Sequence, residues 1–404
     1  MSSPDEQARS EEASEREASE RESPERGTAD ELGALIERYL DSKSRGARDD
    51  GTPTGTYRAS AASELRRWRR WMHARGYAMD DLADDGGRVM RRYAMHLARR
   101  TRGEDGIAAS TARTYFAYVS GCLSYAVRDG ALPLNPALTE RAREELPDDS
   151  GGDRTDQQFW SRDQRRRLVR FADERAARAV DDAGFSAVAE VRDRALVRVL
   201  AYAAVRGAEV LRHPKDNRPG RQGLRWRNVD LDAGTMRVLG KDQRRESALL
   251  PREAAQGLER LRAVQRPPSE EWPVFPTDHA PSKYRAVRDA LGDDAAAILD
   301  EADDVDAVLR RHDVTPPALT TEGARSVMRR LTAGANIDVP DEGVEYLQLH
   351  GARRGMLEDI YRRDRGDAQD LARHKSLSTT REAYQHIDAE ERTKRIDAHL
   401  DEIA

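Results

Sequence analysis

Apolar side chains recur at helical spacing along most of this 404-residue chain, and residues 224–250 show a different, strand-like pattern. Leu65, Trp68 and Met72, for example, share one face of a predicted helix. Residues 200–205 form a nearly continuous apolar run, which predicts a helix at the centre of a core. Within 224–250, three short segments are separated by polar turns, a pattern typical of an antiparallel meander. We therefore predict a mainly α chain with a small antiparallel β-meander.

The composition of the chain changes near its thirtieth residue. Residues 1–29 are Ser, Glu and Arg with almost nothing apolar, so burial cannot offset their ordering entropy and we expect a disordered acidic, serine-rich tail. Residues 30–142 are expected to form four short helices in a small all-α domain. The fourth helix is predicted to begin with Thr111 as its N-cap and to stop at Gly130. The prolines of the following turn, up to Pro136, are predicted to end helical structure there.

An acidic segment with a Gly pair, residues 143–158, is predicted to link this domain to a second one, residues 159–404. The second domain is expected to start with a helix from Trp160 to about Val180. A second helix should run from Arg192 to about Leu211, ahead of the meander. Further helices are expected after the meander, interrupted by an acidic stretch and ending in an amphipathic tail helix, residues 292–305 and 388–404.

The formal net charge of −5 does not by itself predict nucleic-acid binding, so any nucleic-acid-binding site must come from a local basic patch. The second predicted helix carries Arg66, Arg67 and Arg70 away from its apolar face. Helices with basic outer faces could lie on a phosphate backbone, and the alternative is a plain helical bundle with solvated arginines. The large excess of Arg over Lys, with many acidic residues, suggests a GC-rich genome such as that of a salt-loving archaeon.

The chain has one cysteine, Cys122, which lies in an apolar stripe and is expected to be a core residue. A single cysteine excludes an intrachain disulfide framework or a cysteine-based zinc site. No stretch approaches 18 uninterrupted apolar residues, and the N-terminus does not read as a signal peptide. We therefore expect a cytoplasmic protein with no membrane partner.

Several residues that could carry chemistry are poor signals when each is taken alone. His350 and Arg353 lie one helical turn apart, but the arginine-rich chain also contains the pair His96 and Arg99 at the same spacing. By spacing alone His350 and Arg353 could be a surface pair. Arg206 follows an apolar helix and could simply extend its charge to solvent. Tyr384 could be an ordinary tyrosine at the edge of a core.

Lys241 is more informative, because it lies at the turn between two predicted strands. The plain interpretation is a solvated hairpin tip. However, this chain uses arginine at nearly every cationic position, and arginine cannot release its proton near neutral pH, whereas lysine can. A lysine here therefore fits a proton donor.

The order of these segments resembles the tyrosine recombinase (phage integrase) family. The segment 201–211, with Arg206 and Glu209, resembles the first arginine box. Residues 224–251 resemble the β-meander with its hairpin lysine, and residues 349–353 resemble the His-x-x-Arg box. Residues 371–386 resemble the second histidine box followed by the nucleophilic tyrosine. Residues 30–138 look like the helical core-binding domain, so the resemblance covers nearly everything except the N-terminal tail.

The resemblance implies a helical core-binding domain followed by a catalytic domain of the DNA breaking-rejoining fold, which cuts and rejoins DNA without a metal or other cofactor. Tyr384 would attack the scissile phosphate and form a 3′-phosphotyrosyl bond. Arg206 and Arg353 would bind the phosphate oxygens, and Glu209 would hold Arg206 or the neighbouring backbone. Lys241 would donate a proton to the leaving oxygen. His350 would accept the proton of Tyr384, and His374 would bind the phosphate. The implied partners are double-stranded DNA and three further copies of the chain in a synaptic tetramer, with the tail helix docked on a neighbour.

Two departures from the family pattern stand out. The loop 213–223 lies where many relatives have no insertion, and its Lys215 and Arg218, like Lys375 further on, are possible DNA contacts. Arg373 stands before His374, where glycine is usual. Two alternative functions are an inactive DNA-binding regulator of the same fold and a type IB topoisomerase, which belongs to the same chemical class. A helical scaffold with no DNA role is favoured by composition alone.

Overall fold

The structure is a computed structural model of the chain. It describes residues 30–44, 55–103, 106–148, 157–214, 216, 218, 220–240, 243–302, 304–340, 343–376, 378–381, 383–384, 387, 393–394, 396–397 and 400. Lys215, Lys241 and the predicted tail 1–29 lie outside the described residues, as does most of the predicted tail helix 388–404. The predictions for these segments stay predictions.

The described residues divide into two compact units. The first takes those of Met1–Lys43 and Ser60–Pro147, and the second takes those of Ser44–Ala59 and Asp148–Ala404. The helices in or mostly in the first unit are α1 (Glu31–Ser42), α2 (Thr56–His73), α3 (Met79–Asp84), α4 (Gly86–Arg99), α5 (Ala109–Arg128) and α6 (Glu140–Arg143), with a 3₁₀ turn at Pro136–Leu138.

The first unit has its own apolar core, formed by the helix faces that the sequence predicts. Trp68 and Leu65 of α2 are fully buried, and so is Cys122 of α5. One carboxylate is buried among them: Glu64 accepts a hydrogen bond from the Tyr93 hydroxyl at 2.6 Å and one from Arg67 at 2.7 Å. These two partners satisfy a charge that burial would otherwise penalise.

Three details of the first unit differ from prediction. The fifth helix begins at Ala109 with Ala108 as its N-cap and no side-chain hydrogen bond, so Thr111 lies inside the helix and is not the cap. The helix ends at Arg128, close to the predicted Gly130, but helical structure resumes at Pro136 in the 3₁₀ turn Pro136–Leu138, since proline is well tolerated at the first position of a turn. The short helices α3 and α6 were not predicted.

The second unit is also largely helical. Its helices are α7 (Arg162–Ala183), α8 (Val188–Tyr202), α9 (Gly207–Val210), α10 (Arg252–Gln265), α11 (Ala280–Leu291), α12 (Ala295–Asp300), α13 (Val305–Arg311), α14 (Thr321–Gly334), α15 (Leu349–Tyr361) and α16 (Arg365–Ala372). None of the helices in the described part of the chain is both long and apolar enough to span a bilayer. The mainly α class is confirmed.

One small sheet interrupts the helices of the second unit, as predicted. Its strands are β1 (Val229–Asp230), β2 (Thr235–Leu239) and β3 (Arg245–Leu249), paired antiparallel in the order β1-β2-β3. The first strand, predicted from the segment 224–231, is only two residues long, because Leu224 and Trp226 bond to the backbone of Val274 and Trp272. The meander itself is confirmed.

Two other predictions for the second unit were wrong. The helix predicted from Arg192 to Leu211 ends at Tyr202, because Ala204 adopts a left-handed conformation with φ of 47° and turns the chain. The acidic stretch 292–305 does not interrupt the helices but is mostly helical itself. Its Ala295, Ile298 and Leu299 pack on the main core, and this burial favours the helix despite the surrounding carboxylates.

A short segment before α7 fixes the start of α15, the helix that carries His350 and Arg353. The Trp160 indole donates to the carbonyl of Gln348 at 2.9 Å, and the Gln158 side chain accepts from the backbone N–H of Gln348 at 2.5 Å. Gly355 lies where α15 crosses this segment, and a Cβ on Gly355 would overlap the Trp160 carbonyl oxygen. The crossing therefore requires glycine.

We predict that Gly355→Ala lowers the free energy of unfolding by about 3 kcal/mol, because the obstacle is backbone and cannot rotate away. Urea denaturation of the purified protein measures the loss. Gly366→Ala in α16 is the matched control, since its Cβ would meet only a side-chain oxygen of Asp364 at 3.2 Å. That variant should stay within about 1 kcal/mol of the wild type. Equal losses in the two variants would contradict the close-packing argument.

Candidate active site

The guanidinium of Arg353 joins three segments that are far apart in sequence. Its Nη1 donates to the Ala204 carbonyl, and its Nη2 donates to the Ala372 carbonyl at 2.6 Å. Ala204 lies two residues before Arg206, and Ala372 lies two residues before His374. Arg353 is only 4% exposed. The first arginine segment, the His350–Arg353 turn of α15 and the end of α16 therefore meet at one place in the second unit.

Arg206 lies at the N-terminus of the short helix α9 and is paired with Glu209. Its backbone N–H and its Nη1 donate to the two oxygens of Glu209 at 2.8 and 2.9 Å. The arginine side chain keeps 30% of its surface exposed, while that of Glu209 is 1% exposed. The carboxylate thus orients the guanidinium and leaves part of it open to a ligand.

Glu209 has a second cationic partner in Arg373. Arg373 Nη2 donates to Glu209 Oε2 at 2.6 Å. Burial by itself would raise the pKa of Glu209, but the charge of Arg373 and the hydrogen bonds from Arg206 and Arg373 outweigh it, so the pKa lies below its usual value. Glu209 is therefore ionised at neutral pH.

The positive charge gathered here also acts on two histidines. The His374 Nδ1 lies 2.9 Å from the Thr380 hydroxyl. Desolvation, followed by the charges of Arg353 and Arg206, lowers the pKa of His374 to about 4. His350 is accessible to solvent, but enough protein surrounds it that desolvation, followed by Arg354 and Arg353, lowers its pKa to about 4 as well. Both rings are neutral near pH 7, which a proton acceptor requires.

Tyr384 lies beside these groups in a small apolar cluster. Its ring is 5.1 Å from that of Tyr361, between centroids, and its side chain is 4% exposed. Burial raises the pKa of Tyr384 to about 12, although Arg353 lowers it in part. A phenol with so high a pKa needs a base to accept its proton when it acts as a nucleophile.

The depressed histidine pKa values predict an unusual pH dependence. If His350 is the proton acceptor, strand cleavage should keep its rate as the pH falls from about 8 to about 5.5, and should be lost only as the pH approaches 4. The rate persists to lower pH because the lowered pKa keeps the His350 ring neutral, and able to accept a proton, at a lower pH than an ordinary histidine. Single-turnover cleavage rates across this range measure the effect. A midpoint near the ordinary histidine pKa of 6.5 would contradict the assignment.

Neither protein-family models nor curated protein sequences match this chain. Solved structures do match it. One is a XerH site-specific recombinase bound to palindromic difH substrate in a post-cleavage complex, with 14% identity, coverage of 91% of this chain and 95% of that chain, and a TM-score of 0.55. Another is the Tn1549 transposon integrase in complex with circular intermediate DNA, with 11% identity, coverage of 90% and 99%, and a TM-score of 0.52. The chain has the fold of the tyrosine recombinases.

Within the tyrosine recombinase fold, the second unit brings together five of the six residues predicted for catalysis. These are Arg206, His350, Arg353, His374 and Tyr384. Lys241, the sixth, lies outside the described residues, although its neighbour Gly240, which follows β2, is described. Glu209, the predicted supporting residue, is paired with Arg206 at 2.9 Å.

The possible DNA contacts differ in their surroundings. On α2, Arg66 and Arg70 are exposed and their side chains have no ion pair among the described residues, whereas Arg67 is held by Glu64 at 2.7 Å and lies over the Tyr115 ring. In the loop 213–223, Arg218 is paired with Asp216. Lys375 is exposed, and Lys215 lies outside the described residues. Among the candidate arginines, Arg66 and Arg70 are therefore more available to a ligand than Arg67 and Arg218.

Three residues that support this site in the tyrosine recombinase fold were not predicted from sequence. Gln158 and Trp160 hold the start of α15, and Arg373 holds Glu209. The one sequence feature that pointed to Arg373 is that it stands where the resembled family usually has glycine. Nothing in the sequence pattern singles out Gln158, because its partners are 190 residues away.

Proposed function

We propose that this chain is a site-specific DNA recombinase that cuts and rejoins double-stranded DNA through a 3′-phosphotyrosyl intermediate. The observation that carries the proposal is the convergence of three sequence segments on the Arg353 guanidinium, with Tyr384 in the adjoining cluster. XerH and the Tn1549 integrase, two neighbours in fold, were solved with DNA. This supports DNA as the substrate class.

The proposed chemistry balances without a cofactor. The Tyr384 oxygen forms a bond to phosphorus as the bond from phosphorus to the 5′-oxygen breaks, and His350 accepts the phenol proton. Lys241 donates a proton to the leaving 5′-oxygen. Arg206 and Arg353 stabilise the extra charge on the non-bridging oxygens through charge-assisted hydrogen bonds, and His374 contributes a further one. Reversal by another strand's 5′-hydroxyl reseals the DNA, because the phosphotyrosyl bond conserves the energy of the phosphodiester.

On this proposal the helical first unit adds a phosphate-binding surface. Arg66, Arg69, Arg70 and His73 line a shallow groove on α2, and the charge of Arg69 is partly neutralised by Asp30. Phosphate contacts of this kind make affinity strongly salt-dependent. The proposal includes a synaptic homotetramer in the cytoplasm, with the tail 388–404 docked on a neighbouring protomer. Ile396 and Leu400 of this tail are 57% and 53% exposed, which leaves apolar surface for such a contact.

A nicked DNA substrate that releases a short 5′-hydroxyl fragment on cleavage tests the proposal, since loss of the fragment prevents resealing. The target site is unknown, so a pool of random-sequence duplexes serves as the substrate, with the label on the 5′ end of the cleaved strand, the part that stays attached through its 3′-phosphate. We expect a labelled covalent adduct that survives denaturing electrophoresis and disappears after protease treatment. An adduct on no member of the pool would contradict the proposal.

The same assay separates the alternative functions. A DNA-binding regulator of the same fold would shift the pool in a native gel and form no adduct. A type IB topoisomerase would form adducts without site preference and would relax supercoiled plasmid without exchanging strands. Recovery of a common sequence from the adducts, followed by strand exchange between two copies of it, is the outcome expected for a recombinase.

A further inference from the structure

Two features that depart from the family pattern contact the same hairpin in the second unit. One is Arg373, at the position where glycine is usual. The other is the loop 213–223, through Arg221. Both side chains are almost fully buried, with Arg221 7% exposed and the side chain of Arg373 8% exposed. Buried guanidinium groups that satisfy specific partners are costly to place, so their contacts identify what they hold together.

Arg373 connects the hairpin to the glutamate that orients Arg206. Its Nε donates to Glu246 Oε2 at 3.0 Å, and its Nη2 donates to Glu209 Oε2 at 2.6 Å. Glu246 belongs to β3, and its carboxylate lies so close to Gly240 that a Cβ at that glycine would overlap it. Arg373 thereby ties the base of the hairpin to α9.

Arg221 makes the same connection through the backbone. Its Nη2 donates to the Gly240 carbonyl at 2.7 Å, and its Nη1 donates to the Ala208 carbonyl at 2.9 Å. Ala208 precedes Glu209 in α9, and Gly240 is the last described residue before the turn. Two independent arginines therefore link one end of the hairpin turn to the helix that follows Arg206. The next residue in the sequence is Lys241, which lies outside the described residues.

The backbone conformation of Arg373 also indicates that its side chain has a specific role. Its φ is 54°, in the left-handed region that glycine adopts readily and that other residues adopt with strain. The chain keeps an arginine where glycine would fit the turn better. Strain of this kind persists where the side chain has a role that compensates for it.

We propose that Arg221 and Arg373 are positioning residues that hold the base of the Lys241 hairpin against the Arg206–Glu209 segment. They hold Gly240, the residue before the proposed proton donor, close to the helix that follows the phosphate-binding Arg206. This inference rests on the proposed function. Neither side chain needs to touch the DNA, because each acts through the residues it holds.

A sulfur atom at the leaving position separates this role from general stability or phosphate binding. When the 5′-bridging oxygen is replaced by sulfur, the departing thiolate needs no proton, since a thiol, with a pKa of about 8.5, is a far stronger acid than a hydroxyl. A variant that misplaces Lys241 should therefore be slow on the oxygen-bridged substrate and recover on the sulfur-bridged one. A variant that weakens phosphate binding or folding should be slow on both.

The experiment compares single-turnover cleavage of the two substrates by the full-length protein. We expect Arg373→Gln and Arg373→Gly each to slow cleavage of the oxygen substrate about 10²-fold, and the sulfur substrate less than about tenfold. The glycine variant removes the backbone strain, so its loss isolates the side chain. Arg373→Lys, which restores a cation, should recover part of the rate. Equal losses on both substrates, or no loss on either, would overturn the proposal.

Arg198→Gln is the matched control. Arg198 is also buried and bridges two carboxylates, Asp173 at 2.7 Å and Glu253 at 2.9 Å, but it contacts no hairpin residue among those described. Its cleavage of both substrates should stay within about threefold of the wild type, given that stability losses act on both substrates alike. A selective loss on the oxygen substrate in this variant would overturn the assignment to Arg373.

Amide hydrogen exchange provides a readout that is independent of catalysis. The Gly240 N–H donates to the Arg244 carbonyl at 2.8 Å across the turn. We expect Arg221→Gln and Arg373→Gln to speed exchange at Gly240 by about tenfold or more, because the hairpin base opens locally. Unchanged exchange would overturn the positioning role even if the wild type cleaves no DNA. Failure of the wild type to form any adduct would instead count against the proposed function.

Discussion

Tyr384→Phe is expected to abolish strand cleavage while DNA binding stays within about twofold of the wild type, since the lost hydroxyl is the proposed nucleophile. Removal of a nucleophile typically costs on the order of 10⁶-fold in rate. The phenyl ring should keep its place beside Tyr361, because the cluster that holds it is apolar. Adduct formation on a trapping substrate measures the loss, and a native gel measures binding.

Tyr361→Phe is the matched control for this variant. Tyr361 is 3% exposed and its ring centre lies 5.1 Å from that of Tyr384, so the control removes a hydroxyl from the same cluster. We expect it to keep cleavage within about tenfold, the range of positional effects. Cleavage by Tyr384→Phe at the wild-type rate would assign the nucleophile elsewhere.

Arg206→Gln is expected to reduce the cleavage rate about 10³-fold, because a positioned donor to the developing charge on the phosphate is lost. Its effect on folding should be small. Glu209 keeps Arg373 as a buried partner at 2.6 Å, so its carboxylate is not left unpaired. Arg206 is also the better choice for this test than Arg353, whose guanidinium holds two backbone carbonyls and whose loss would disturb the structure. Single-turnover rates at saturating protein isolate the chemical step from binding.

Arg325→Gln is a suitable control, because Arg325 pairs with Glu322 at the same i,i+3 spacing and at 2.8 Å on the exposed face of α14. An exposed pair of this kind contributes about 0–1 kcal/mol to stability, so the control should cleave normally. Similar losses of cleavage rate in the two variants would mean that the effect of Arg206→Gln comes from the broken ion pair and not from a lost contact to the phosphate.

The residues that meet at the site could be predicted from sequence, but only through their order. The spacing of His350 and Arg353 also occurs at His96 and Arg99, so spacing alone does not identify a site. What distinguishes the first pair is that the segments containing Arg206 and Tyr384 occur before and after it in a family-like sequence. The helical periodicity and the polar turns of 224–250 predicted the class of fold correctly, because both depend on local patterns of burial.

Features that depend on distant contacts could not be predicted. The apolar run before Arg206 favours a continuous helix, and the break at Ala204 is stabilised by a hydrogen bond from Arg353, 149 residues away. The acidic stretch 292–305 is helical because a few apolar residues in it reach the core. Arg373 was recognised as a departure from the family pattern, but its bonds to Glu209 and Glu246 join residues 164 and 127 positions apart.

Mass spectrometry of the trapped adduct identifies the nucleophile. After nuclease and trypsin digestion, we expect a nucleotide to remain attached through its 3′-phosphate to the peptide 382–392, with fragmentation assigning it to the tyrosine oxygen of Tyr384. Attachment to any other residue, or a 5′-linked nucleotide, would contradict an active site built around the Arg353 guanidinium.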